Sequence, residues 1–138
     1  MGRLSRVTLA EPPATINTWT RLGRSFYFAW RGLGFFFKNQ RNARIEALAG
    51  VAACVLAAIA RLGRTDWAIL IFTIALVLVA EGVNAAFEAV LGLASPSRHP
   101  LAKSAKDLAA AMVLIAALAA VVIGVLLIGP PLLHRLHR

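Results

Sequence analysis

The sequence predicts an all-α membrane protein, in which one amphipathic surface helix precedes three membrane-spanning helices. Three observations predict it. Of 138 residues, 59% are hydrophobic, and the mean hydropathy is +0.73, the composition of a small integral membrane protein. Three long apolar stretches follow one another with short linkers between them. Finally, 15 Lys and Arg stand against 6 Asp and Glu, a net charge of +9, and the basic residues crowd ahead of the first apolar stretch. In a membrane chain such an excess speaks to orientation and to anionic lipid, so no nucleic-acid partner is expected. Cys54 is the single cysteine, which excludes an intrachain disulfide. The first 30 residues lack an apolar core and an A-x-A site, so no signal peptide is expected.

Residues 1–13 are expected to form a disordered tail, and residues 14–138 a single membrane-embedded domain. Residues 14–38 form the first element. Ile16, Trp19, Leu22, Phe26, Trp30, Leu33 and Phe37 recur at steps of three or four, with Arg21, Arg24, Arg31 and Lys38 mostly between them. That periodicity is helical, and an aromatic face set against a basic one describes a helix in the membrane interface. Gly32 and Gly34 predict a break within it.

Residues 45–62 are the first span, short at 18 residues and bounded by Glu46 and Arg61; a crossing needs about 17–25. Glu46 is read as an ion-pair partner of Arg44 or Arg41, or as a residue that snorkels, with no catalytic role. Residues 67–93 make the second span and residues 108–129 the third. Pro130 and Pro131 are expected to end it, and Ser104-x-x-Asp107 fits a capping box at its start. Eight Lys and Arg precede the first span, two lie in the next connection, three in residues 94–107 and two in the tail. The positive-inside rule then puts the N-terminus and residues 94–107 in the cytoplasm.

Chemistry concentrates in the second span. Residues 67–80 carry no charge, and Glu81, Asn84 and Glu88 follow. At about 100° per residue these three share one stripe about 60° wide. Measured from Trp67, Glu81 lies about 21 Å along the helix and Glu88 about 31 Å, so Glu88 reaches the cytoplasmic boundary of a ~30 Å hydrocarbon core while Glu81 stays submerged. Gln40, Asn42, Arg44, Lys106 and Asp107 fall at the same edge. Acids at membrane depth are costly and mark functional cavities. A carboxylate for Mg²⁺, a cation for phosphate and a base for a hydroxyl would suit phosphoryl transfer, although no Walker A, kinase Gly-rich loop or zinc motif is present. On these residues alone a kinase and a proton relay both remain open.

The run E81-G-V-N84-A-A-F-E88, followed by A105-K106-D107-L-A-A-A-M-V-L, resembles the signature of the bacterial diacylglycerol kinase/undecaprenol kinase family, as do A29-W30-R31-G32-L33 and N42-A-R44-I45. The resemblance covers about residues 20–130. It implies a three-span lipid kinase of the bacterial inner membrane, usually a homotrimer with a surface helix. Such an enzyme transfers the γ-phosphoryl of Mg-ATP to a lipid alcohol, diacylglycerol or undecaprenol. It implies Glu81 as catalytic base and Glu88 as a ligand of Mg²⁺ that also serves the nucleotide. Asn84, Lys106, Asp107 and the loop of Ser97, Arg98 and His99 would be nucleotide contacts, with Arg21 in the place of an N-terminal basic contact. The chain departs from the family pattern at Gln40, where a second metal-binding Glu is common, at Phe28 in place of Tyr, and at Ala85 in place of Thr or Ser. Without the family, Lys106 reads as a positive-inside residue, Asp107 as a cap and His99 as a solvated loop residue. Gln40 keeps open a catalytically degenerate relative or a small proton- or ion-conducting oligomer.

Overall fold

The computed structural model describes residues 17–94 and 99–137, and among them it holds four α-helices and no strand. These are α1 (Thr18–Asn39), α2 (Arg41–Ala60), α3 (Arg64–Ala94) and α4 (Pro100–Leu136). Residues 1–13, expected as a tail, and Ser97 and Arg98 lie outside the described residues.

Helix α1 is unbroken. Gly32 and Gly34 continue it, contrary to the expected break, and a Cβ at either would meet nothing within 4 Å. A lone glycine costs a helix only about 1 kcal/mol, and long apolar and basic neighbours carry the helix across. Up to Gly34 this element forms a compact unit of its own. Its aromatic residues Trp19, Phe26 and Trp30 are exposed, and the Arg31 guanidinium sits 5.7 Å from the Tyr27 ring.

From Phe35 onward the chain packs as a second unit, in which α2, α3 and α4 all contact one another. Each is long and apolar enough to cross a membrane; the protein is a membrane protein. Gly50 lets α2 approach α3 closely, since a Cβ there would come within 2.9 Å of Ile74. The tightest packing lies where α2 ends and α3 begins. Ala57, Ala60, Leu70 and Ile128 form a buried cluster, with Leu62, Trp67 and Leu132 packed on it.

The end of α2 there is capped. Arg61 takes the left-handed conformation at φ 55°, and its N–H bonds the Ala58 carbonyl at 3.1 Å. The Leu62 N–H bonds Ala57, also at 3.1 Å, completing a Schellman turn without glycine. Arg135 of α4 adds a third bond, its Nη1 donating to the Ile59 carbonyl at 2.9 Å. Helix ends in lipid need such partners because no water is there to supply them.

Two boundary expectations are corrected. Helix α4 begins at Pro100, with His99 as N-cap accepting from the Leu101 N–H through its side chain. Ser104 and Asp107 therefore lie inside the helix; the Ser104 hydroxyl donates back to the Pro100 carbonyl at 3.3 Å and forms no capping box. Proline suits the first helical turn, where its missing N–H would be unpaired anyway. Helix α4 also runs through Pro130 and Pro131 to Leu136. The two prolines remove two backbone donors, but the packing of Ile128 and Leu132 and the Arg135 bond hold the last turns on α2.

Candidate active site

The stripe on α3 is built as its spacing predicts. Glu81 is 1% exposed, Asn84 is half-buried and Glu88 is exposed. The gradient follows α3 from packed interior toward its open C-terminal end. At that end Lys106 of α4 reaches Glu88, with Nζ 3.7 Å from Oε1. Both side chains are about half exposed, so this pair contributes little to stability; it positions a cation beside a carboxylate.

Glu81 is handled differently. The side chains of Asn84 and Asn42 both reach its carboxylate, one from its own helix and one from α2. Its Oε2 is nonetheless buried without a hydrogen-bond partner. Glu46 of α2 stands beside it, and the Glu46 Oε2 is also buried and unpartnered. Two carboxylates that influence one another, one on a buried and one on a half-buried side chain, each keep a buried oxygen free, an arrangement that only function or a missing donor explains.

Sequence reasoning placed Asn42 at this edge without tying it to Glu81, and it missed Glu46. Glu46 does not pair with Arg44, whose Nη1 donates instead to the Lys38 carbonyl at 3.5 Å. The available signal was helical spacing. Positions 43, 46, 50 and 57 fall on one face, and Ala43, Gly50 and Ala57 are three of the four buried residues of α2, with Ala60. An acid on the small-residue face points into the bundle rather than toward water.

The other expected residues are placed more loosely. Gln40 is half-buried at the N-cap position of α2, in extended conformation and making no side-chain cap bond. Asp107 is exposed on α4 beside Lys106. His99 is exposed and engaged as the α4 cap. Arg21 belongs to the unit that ends at Gly34. Among the described residues no three His, Cys, Asp or Glu side chains gather as a metal cage.

The geometry therefore offers a submerged carboxylate, held by two amides, about two turns from an open carboxylate paired with lysine. The family model for prokaryotic diacylglycerol kinase matches residues 27–128, which includes all of this constellation. The chain belongs to this family. Its members named as relatives agree. A diacylglycerol kinase of Synechocystis is 43% identical over 128 residues, covering 90% of this chain and 73% of that protein. An undecaprenol kinase of Bacillus subtilis is 33% identical over 116 residues, 84% of this chain and 94% of that one. The diacylglycerol kinase of Escherichia coli is 33% identical over 103 residues, 75% and 84%. The protein is thus a membrane enzyme of the lipid kinase class, as the E-x-x-N-x-x-x-E and A-K-D motifs implied.

Proposed function

We propose that this enzyme transfers the γ-phosphoryl group of Mg-ATP to the hydroxyl of a membrane lipid alcohol, diacylglycerol or undecaprenol. The reaction takes place at the cytoplasmic face of the bacterial inner membrane. The observation that carries the reading is the buried Glu81 carboxylate with an unpartnered oxygen, two turns from the Glu88–Lys106 pair.

In the transfer the Glu81 carboxylate accepts the proton of the lipid hydroxyl. The freed oxygen forms a bond to the γ-phosphorus, the bond from that phosphorus to the β–γ bridging oxygen breaks, and ADP leaves with the electron pair. Asn42 and Asn84 hold Glu81 in the orientation this requires. Lys106 faces phosphate charge at the open end, with Asp107, His99, Ser97, Arg98 and Arg21 as further nucleotide contacts.

Glu88 would hold Mg²⁺, with Gln40 offering an amide oxygen. One carboxylate and one amide fit this ion, which keeps several waters and takes other oxygens from phosphates. When bound, Mg²⁺ neutralises charge on the transferring phosphoryl group. The enzyme acts as a homotrimer with its N-terminus in the cytoplasm.

The test is purified protein in mixed micelles with labelled ATP, offered diacylglycerol and undecaprenol in turn. Label in one of the two lipids is expected. Label in neither, with protein that still binds ATP, would leave the non-catalytic relative as the better reading.

A further inference from the structure

A groove of about 600 Å³ runs down the bundle between α2, α3 and α4, starting at Glu46. Its walls are apolar and small, with Gly50 and Ala53 on α2, Val77 on α3 and Gly124 on α4. Thr73 also lines it, but its hydroxyl already donates to the Ile69 carbonyl at 2.8 Å. Glu46 Oε2 is thus the lining's one buried polar atom still lacking a partner. The lining runs from Glu46 to Leu56 on α2 and from Ala117 to Gly129 on α4, about 15 and 18 Å at helical rise. That is half of a ~30 Å hydrocarbon core, the depth of one leaflet.

The occupant must be hydrocarbon along its length with one hydrogen-bond donor at its head. A transmembrane helix of a second copy meets this test only through a side-chain donor placed at that one depth, because its backbone donors are spent internally. A lipid alcohol passes it. We propose that the groove seats one hydrocarbon chain of the acceptor lipid and measures its length, an inference that rests on the lipid kinase reading above. The hydroxyl meets the free Oε2 of Glu46 at the end of the groove. A glycerolipid with chains about one leaflet long fills the groove. A long polyprenol overruns it.

Gly124 allows a clean test, because a Cβ there meets nothing within 4 Å. A larger side chain then enters the groove without displacing a packed neighbour. With full-length protein in mixed micelles, diacylglycerols of graded chain length and a polyprenol would be compared by kcat/KM. Gly124→Leu should raise the short-chain to long-chain ratio about tenfold, the equivalent of expelling two methylenes. Gly92→Leu, on an exposed part of α3 outside the groove and equally open, should leave the ratio at wild type. Glu46→Leu should raise KM for all chain lengths, with recovery in Glu46→Gln.

Photo-crosslinking with a long-chain diacylglycerol probe reads the groove without turnover. It should label groove residues in wild type and fall about tenfold in Gly124→Leu. An unmoved ratio together with unchanged crosslinking would overturn the proposal, as would a polyprenol turned over in preference to every diacylglycerol. A change of oligomeric state in Gly124→Leu without a change in chain-length profile would assign the groove to a second copy. Loss of activity on every lipid, with crosslinking as expected, would sink the kinase reading and leave the groove standing.

Discussion

The two ends of the α2–α4 bundle are built on opposite rules. Where α2 ends, the carbonyls of Ala57, Ala58 and Ile59 are all bonded, and small and large apolar residues interlock around Leu70. Where α2 begins, Glu46 and Glu81 each keep a buried oxygen unpartnered, and the ion pair beyond them is half open to solvent. One end bonds three of the last carbonyls of α2; the other keeps carboxylate oxygens unsatisfied at a cost of about 1–3 kcal/mol each. The difference teaches that the capped end stabilises the bundle so that the acidic end can remain incomplete until a ligand arrives.

That contrast can be tested in order of expected effect. The largest is all-or-none. On a Cys54→Ala background, cysteines placed at Ser5 and Ser97 should be blocked from an impermeant reagent in intact cells, while one at Thr65 should be accessible. The opposite pattern would put the acidic end outside and strand it from ATP. Next comes Glu81→Gln, which should lower phosphorylation at least about 100-fold, the range for a lost general base, with ATP binding and the oligomer intact. Turnover near wild type would remove Glu81 from the chemistry.

Glu88→Gln should be about tenfold more damaging than Gln40→Ala, because negative charge is what chiefly holds Mg²⁺. Gln40→Glu should lower the Mg²⁺ concentration for half-maximal rate. An unchanged Mg²⁺ dependence alongside a tolerated Glu88→Gln would mean that the stripe holds no metal.

The capped end should behave in the reverse way. Leu70→Ala is expected to cost about 3 kcal/mol in unfolding stability, with activity per folded molecule preserved. Arg135→Met should cost about 1 kcal/mol through its bond to Ile59, the smallest effect of the series. If either variant lost activity without losing stability, the division between the two ends would be wrong.

Much of this arrangement was legible in the sequence because membrane helices obey two strong constraints, length and polarity. The α3 stripe followed from three positions and an angle, and Glu81 is buried where that angle put it. Lys106 at the level of Glu88 followed from depth, but a nucleotide role for it followed only from family resemblance, since a lysine next to a span has an equally good topological reason to exist. The misses share a cause. Glu46 was judged by its neighbours along the chain, Arg44 and Arg41, when the α2 packing face decided its direction. The capping box at Ser104 had the right spacing, but His99 and Pro100 start the helix a turn earlier. Pro130 and Pro131 break an isolated helix; here contacts with α2 outweigh them. Each miss is tertiary packing overriding a local rule.

The helix lengths carry one more consequence. At 20 residues α2 is about 30 Å long and just matches a hydrocarbon core, whereas α3, at 31, and α4, at 37, reach about 46 and 55 Å. Because α3 starts where α2 ends and α4 is tied to that same level by Arg135, the excess of both helices falls on the acidic side. Counted from Arg64, Glu81 lies about 25 Å up and Glu88 about 36 Å. The overhang lifts the Glu88–Lys106 pair clear of the hydrocarbon and leaves Glu81 inside it. Under the proposed reading a triphosphate would not have to shed its hydration to reach a lipid, a transfer that would cost tens of kcal/mol for bare charge. Only a neutral hydroxyl and one proton would then be handled below the waterline.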